Sequence, residues 1–253
     1  MSKLSVITCT VNENLYDRFA HGFARHFAEV PIELIKITNP PSLAAGYNMG
    51  LHIAKGSSVI FCHDDIEILS PGFAARLIRH LEEWDIVGVA GAERLKSGLW
   101  LAAGHSHIHG QVVQHDGSGK HTLDVFDPDC TVESTVQAKV LDGLFIAAKT
   151  AVAKSIGFDE ATFRAFHFYD LDFTLRSSLA GYRVGIARDL LLYHGSPGKL
   201  DEVWYYYCGR FEQKYDQHLY TGPTEDAKIF KRLLSKQDDP VATLMDIRRI
   251  SKW

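Results

Sequence analysis

Three short stretches carry side chains that could act together on one substrate. The first is VIFCHDDIEI, residues 59–68, where an apolar, β-rich run ends at His63, Asp64 and Asp65. Adjacent carboxylates repel unless a cation or a proton relieves them. Oxygen ligands of this kind suit Mg2+ or Mn2+, ions that commonly share their shell with substrate phosphates. A plainer reading has one aspartate capping the next turn and the other solvated. The second stretch is FHFYDLDFTLRSSLAGY, residues 166–182, where Asp170 and Asp172 open a helix with Leu171, Leu175 and Leu179 as its buried stripe. At ~100° per residue the two carboxylates lie ~200° apart and cannot share one site. Asp172 stands four residues before Arg176, the spacing of a surface ion pair. Asp170, at the helix N-terminus, is either a cap or a base beside a substrate hydroxyl. The third is LLLYHGSPG, residues 190–198, in which His194 ends an apolar strand and brings an imidazole to the same rim.

These side chains need a scaffold that gathers strand ends. Residues 4–10 (LSVITCT) and 31–38 (PIELIKIT) read as strands. Between them, Asn12 caps a helix with Leu15, Phe19, Phe23 and Phe27 on one face. A short helical stretch, SLAAGYNMGLHIAKG, leads into the strand ending at Cys62, and Ser70-Pro71 is read as the cap of a helix carrying Phe73, Leu77 and Leu81. Further strands are expected near residues 86–90, 183–187 and 190–193, regular structure resumes at 136–149, and a helix from Thr150 is closed by Gly157 and another by Gly181. This alternation predicts an α/β fold with a mixed, mainly parallel sheet flanked by helices. Residues 91–130, rich in Gly, His and Asp, read as hairpins and loops. The sequence divides into a main domain, 1–221, and a helical C-terminal extension, 222–253, with amphipathic stretches after Pro223 and Pro240.

At 253 residues the chain can bury a sizeable core, and 46% apolar with 23% charged residues is ordinary for a soluble globular protein. A formal charge of −4 gives no basis for nucleic-acid binding. The N-terminus lacks a long apolar segment, and no window approaches the ~20 apolar residues of a membrane span. The four cysteines, Cys9, Cys62, Cys130 and Cys208, form no CxxC pair and read as reduced thiols, so a cytoplasmic protein is expected.

Taken in order, these pieces resemble the family-2-type nucleotide-sugar glycosyltransferases of the GT-A fold, over roughly residues 3–196. Thr10-Val11-Asn12-Glu13 is similar to that family's first nucleotide-binding turn. Ala45-Gly46-Tyr47-Asn48-Met49-Gly50 followed by Ala54-Lys55-Gly56 is similar to its A-x-N-x-G segment, and His63-Asp64-Asp65 stands at its DxD motif. Leu141-Asp142-Gly143, then Gly157-Phe158-Asp159-Glu160, and finally Tyr169-Asp170-Leu171-Asp172 with Arg176 and Ala180-Gly181-Tyr182-Arg183 follow its remaining signatures. The resemblance implies a divalent metal, Mn2+ or Mg2+, held by Asp65 and His194 with Asp64 near the metal or the ribose. It implies a nucleoside-diphosphate sugar bound by Thr10, Val11, Glu13, Asn39 and Asn48, and Asp170 as the base that deprotonates a hydroxyl acceptor during an inverting displacement. Asp142, Gly143, Tyr169 and Trp100 are then expected at the sugar or acceptor. The sequence departs from the pattern at His63, where an acid is usual, and at Tyr169, where a glutamate precedes the base. The first departure resembles a subgroup with H-x-D at this point.

Rival readings remain for several features. A non-catalytic nucleotide-sugar or glycan-binding module would use the same scaffold, and a metal-dependent phosphate-ester hydrolase would use the same acids. His105, His107 and His109 (HSHIH) would share one strand face and could hold a transition metal or contact an acceptor. The aromatic run around Trp204, Tyr205 and Arg210 reads as core or lid packing, or as part of an acceptor or diphosphate site. The C-terminal helices read as domain packing, with an interface or membrane-surface contact as the alternative.

Overall fold

The structure, a computed structural model, describes residues 3–115, 118–127, 135–196, 198, 200–223 and 225–250, and Cys130 lies outside them. The chain begins with β1 (Leu4–Thr10), α1 (Glu13–His26), β2 (Ile32–Thr38), α2 (Leu43–Ile53), β3 (Ser58–Cys62), β4 (Ile66–Ile68), α3 (Phe73–Glu83), β5 (Ile86–Gly88) and β6 (Ala90–Ala92). It continues through β7 (Ile108–His115), β8 (His121–Val125), β9 (Thr135–Gln137), β10 (Val140–Leu141), β11 (Phe145–Lys149), α4 (Thr150–Ile156), α5 (Tyr169–Leu179), β12 (Val184–Ala187) and β13 (Leu192–His194). It ends with α6 (Glu202–Lys214), β14 (Phe230–Leu234) and α7 (Pro240–Ile250).

Among the described residues the central sheet runs β2-β1-β3-β11-β5-β12-β9. β1 is parallel to β2 and β3, whereas β11 is antiparallel to β3 and β5, so the sheet is mixed. Its central strands are buried on both faces, and period-two alternation divides them. Leu4, Val6, Ile60 and Cys62 face one core with Phe19 and Phe23 of α1, Phe27, and Phe73 and Leu77 of α3. Ile7, Cys9, Val59 and Phe61 face the other core with Tyr47 and Leu51 of α2, Val152 of α4 and Phe173 of α5. Asn12 caps α1 by accepting from the Leu15 amide at 3.2 Å. Cys9, Cys62 and Cys208 are free thiols. No helix among the described residues is long and apolar enough to cross a membrane.

A second sheet, β10-β6-β7-β13-β4, stands beside the first, with β8 paired to β7 and β14 to β8. Two expectations change here. Ser70 does not cap α3, whose N-cap is the left-handed Gly72. Its hydroxyl instead donates to Asp189 O and accepts from the Leu191 amide, tying the approach to α3 to the segment before β13. The stretch after Pro223 is not helical throughout, because Phe230–Leu234 joins β8 as an edge strand. Among the described residues there, only α7 is helical, and Leu244 and Ile247 pack it on Val113, Leu123, Val125 and Leu191.

Candidate active site

The parallel register of β1 and β3 aligns Thr8 with Cys62, so the residues just beyond both strands reach one rim. There Thr10 Oγ1 donates to Asp64 Oδ2 at 2.5 Å. Burial raises the Asp64 carboxyl above the usual range, and the neighbouring Asp65 charge adds to this against the Thr10 bond. Asp65 turns the other way. β13 runs antiparallel to β4, and the Gly195 amide donates to Asp65 O at 2.8 Å, which seats His194 beside that carboxylate. His194 Nε2 lies 3.5 Å from Asp65 Oδ1, and His63 Nδ1 lies 3.9 Å from the same oxygen and 3.3 Å from His194 Nε2. One donor atom from each of His63, Asp65 and His194 lies within 4.8 Å of the others. Burial and the neighbouring His194 lower His63 to about 4, leaving its imidazole neutral near neutral pH. Two imidazoles and one carboxylate are a donor set that fits a divalent cation.

Across the same cavity, α5 presents Asp170 from its first turn. The residue before this helix, Phe168, has φ 65, one of two non-glycine left-handed residues among those described, and the other is Asn39 at φ 49. Both flank the rim, where backbone strain is tolerated when the surroundings enforce it. Burial, reinforced by the Asp142 charge, pushes Asp170 up to about 7. Asp142 is held by Trp100 Nε1 at 3.1 Å and by the Leu144 amide at 3.1 Å. Gly143 lets these groups crowd together, because a Cβ there would collide with the Tyr169 hydroxyl and stand 2.8 Å from Asp170 Oδ2. A carboxyl titrating near neutrality at the wall of a cavity of about 830 Å³ has the properties of a general base.

The sequence matches the family described as "Glycosyltransferase like family" over residues 5–226. This chain belongs to that family. A curated relative from Fuscovulum blasticum, described as "ATP synthase subunits region ORF 6", is 28% identical over 229 residues, spanning 83% of this chain and 82% of that one. Among solved structures, GalNAc-T7 with UDP, GalNAc and Mn2+ superposes with a TM-score of 0.53 at 10% identity, covering 99% of this chain. The chain spans 54% of that neighbour's length. The mannosyltransferase PcManGT from Pyrobaculum calidifontis, in complex with GDP-Man and Mn2+, superposes with a TM-score of 0.51 at 13% identity, covering 99% of this chain and 74% of its own. At such identities the likeness establishes the GT-A fold.

In this glycosyltransferase-like enzyme the cavity gathers Thr10, Val11, Asp64, Asp65, His194, Trp100, Asp142, Gly143, Tyr169 and Asp170. Three residues expected at the nucleotide sugar are placed off that wall. Glu13 pairs with Lys36 in the first turn of α1. Asn39 turns the chain, its amide donating to Thr10 O at 3.0 Å. Asn48 spends its side-chain amide on Phe158, donating to its carbonyl and accepting from its N–H at 2.9 Å each, so it braces the Gly-Phe-Asp-Glu turn. Of the aromatic run, Trp204 lines the cavity and packs on Phe168, whereas Tyr205 and Arg210 are exposed.

Two further expectations are corrected. Asp172 is fully buried rather than superficial, and besides Arg176 it binds Lys214 and Tyr215 of the α6 region. His105 and His107 lie in a 3-10 turn and only His109 is on a strand, so the three rings do not share a face. His109 is buried between Asp127 at 2.9 Å and Glu93 at 2.8 Å. Sequence reasoning missed His63 as a third donor, along with Gln114, Asp124 and Lys231, which the second sheet brings to the cavity. Their only signal was the alternation of β7 and β8, which does not say what the strands enclose.

Proposed function

We propose that this chain is a metal-dependent, inverting glycosyltransferase that moves a sugar from a nucleoside-diphosphate sugar to a hydroxyl acceptor. The observation that carries this reading is the convergence of the His63, Asp65 and His194 donors and the near-neutral Asp170 carboxyl on one cavity. Support comes from the neighbours, since the GalNAc-T7 structure contains UDP and Mn2+ and PcManGT is in complex with GDP-Man and Mn2+. His63, Asp65 and His194 would hold Mn2+ or Mg2+, and the bound ion supplies charge neutralisation for the departing diphosphate. The Thr10–Asp64 pair and Val11 line the cavity and would bind the nucleotide. Asp170 takes the acceptor hydroxyl proton as that oxygen bonds to the anomeric carbon. The bond from that carbon to the diphosphate oxygen breaks on the opposite face, and its electron pair leaves with the diphosphate. A single displacement of this kind inverts the anomeric centre. Residues 1–221 form the transferase unit in this reading, and 222–253 an extension that adds Ile229 and Lys231 to the cavity wall.

The test is release of nucleoside diphosphate from a panel of nucleotide sugars, with Mn2+ and with chelator, in the wild type, Asp65→Ala and Asp170→Asn. Asp65→Ala is expected to lose metal-dependent nucleotide binding. Asp170→Asn is expected to keep binding and lose transfer. Full transfer in Asp170→Asn removes the mechanism, and full activity in chelator removes the metal. Nucleotide binding without turnover of any donor supports a binding module instead.

A further inference from the structure

His63 and Tyr169 are 106 positions apart, yet His63 Nε2 lies 3.0 Å from the Tyr169 hydroxyl oxygen. The same hydroxyl donates to Gly143 O at 3.0 Å. A phenol has one proton and a carbonyl can only accept, so that proton is committed to Gly143. His63 Nε2 must therefore carry its own hydrogen and donate it to the Tyr169 oxygen. The lone pair of the neutral ring is left on Nδ1, the nitrogen that faces Asp65 and His194. Tyr169 is only 2% exposed and packs on Tyr47 and Phe158, so its hydroxyl is held in place. Asp64 does not join the cluster, because it is turned toward Thr10.

We infer that Tyr169 is a positioning residue that fixes His63 as a third metal ligand, and that the resulting site takes a nitrogen-preferring ion such as Co2+ ahead of Mg2+. This rests on reading the cavity as a metal-dependent transferase site. The preference follows from the donors. Imidazole nitrogens suit the later first-row ions such as Co2+ and Zn2+, whereas Mg2+ favours oxygen ligands and near-ideal octahedral geometry. A site with two nitrogens and one carboxylate oxygen therefore discriminates by ligand type. Partners of a ligating histidine that set its tautomer typically contribute about 10–100-fold in metal affinity.

The experiment uses the full chain without any sugar donor, titrated with Co2+, Mn2+ and Mg2+ and followed by calorimetry and the Co2+ visible spectrum. The wild type is expected to bind Co2+ more tightly than Mg2+, with Mn2+ between them. Tyr169→Phe should weaken Co2+ and Mn2+ binding by about 10–100-fold and shift the Co2+ bands. His63→Asp should narrow the gap between Co2+ and Mg2+. In His63→Ala, added imidazole should restore the wild-type Co2+ spectrum, a recovery that a misfolded variant does not give. Equal Co2+ and Mg2+ affinities, or an unchanged Co2+ spectrum in both Tyr169→Phe and His63→Ala, overturn the inference while leaving metal-dependent transfer standing. A wild type that binds none of the three ions overturns both.

Discussion

The Trp100 indole donates to Asp142 Oδ2 at 3.1 Å, and the carboxylate so held is the charge that reinforces burial in raising Asp170. The consequence is a pH profile. In the free enzyme, kcat/KM should rise with pH through about 7 as Asp170 ionises, then level off. Asp142→Asn removes the neighbouring negative charge and should move that limb to lower pH. A limb that stays in place in Asp142→Asn would assign it to another group.

The same displacement makes Asp170 a stability liability. Its folded value of about 7 stands above the ordinary aspartate value of ~3.9, so the folded chain holds a proton that the unfolded chain has already released. Stability therefore falls as pH rises from ~4 through about 7. Asp170→Asn carries no such penalty. It should melt higher than the wild type at pH 8 and show a much smaller difference at pH 4. Transfer should drop by roughly 10²–10⁴-fold, the range of general-base contributions. Melting curves at the two pH values and single-turnover rates check both halves.

The layered α/β scaffold was legible because apolar alternation in β1 and β3 and the Phe spacing in α1 are local patterns. So was the rim, since Asp64, Asp65 and His194 each follow an apolar strand. What stayed hidden depends on pairs distant in sequence. His63 reads as a broken motif until its bond to Tyr169 is seen, and Asn48 reads as a ligand contact until Phe158 takes its amide. The i, i+4 spacing of Asp172 and Arg176 signalled an ion pair correctly, but could not show that α6 would bury it. β14 escaped because an edge strand is stabilised by its partner, β8, rather than by a pattern of its own.

Asp172 faces away from the cavity and clamps α5 to the end of α6. It accepts from Tyr215 Oη at 2.6 Å, Lys214 Nζ at 2.5 Å and Arg176 Nε at 2.9 Å, while itself fully buried. Asp172→Ala leaves those donors without their anion and should cost about 3–5 kcal/mol in urea unfolding. Tyr215→Phe removes one hydrogen bond to a charged group and should cost about 1.5–3 kcal/mol. A loss below 1 kcal/mol in Asp172→Ala would show that the clamp contributes little, as surface pairs do.

Arg248 makes α7 part of the fold rather than an appendage. Its guanidinium is 1% exposed and donates to Asp127 O at 3.0 Å and to Gln111 Oε1 at 2.6 Å. Asp127 also forms an ion pair with the Arg188 guanidinium, Nε at 2.6 Å, and lies 2.9 Å from His109 Nδ1, so one buried carboxylate joins α7 to β7 and to the segment before β13. Gln111 in turn donates to Leu190 O at 2.7 Å. Arg248→Ala vacates a large buried side chain and strips Gln111 of its donor, while Asp127 keeps Arg188. The expected loss is therefore about 3 kcal/mol, at the lower end for a broken buried ion pair. Because α7 packs on β8, and β8 carries β14 with Lys231 at the cavity wall, transfer should weaken as the temperature approaches the lowered melting point and recover on cooling. Urea unfolding and the temperature dependence of transfer in Arg248→Ala measure both effects, and wild-type stability in this variant would detach α7 from the cooperative unit.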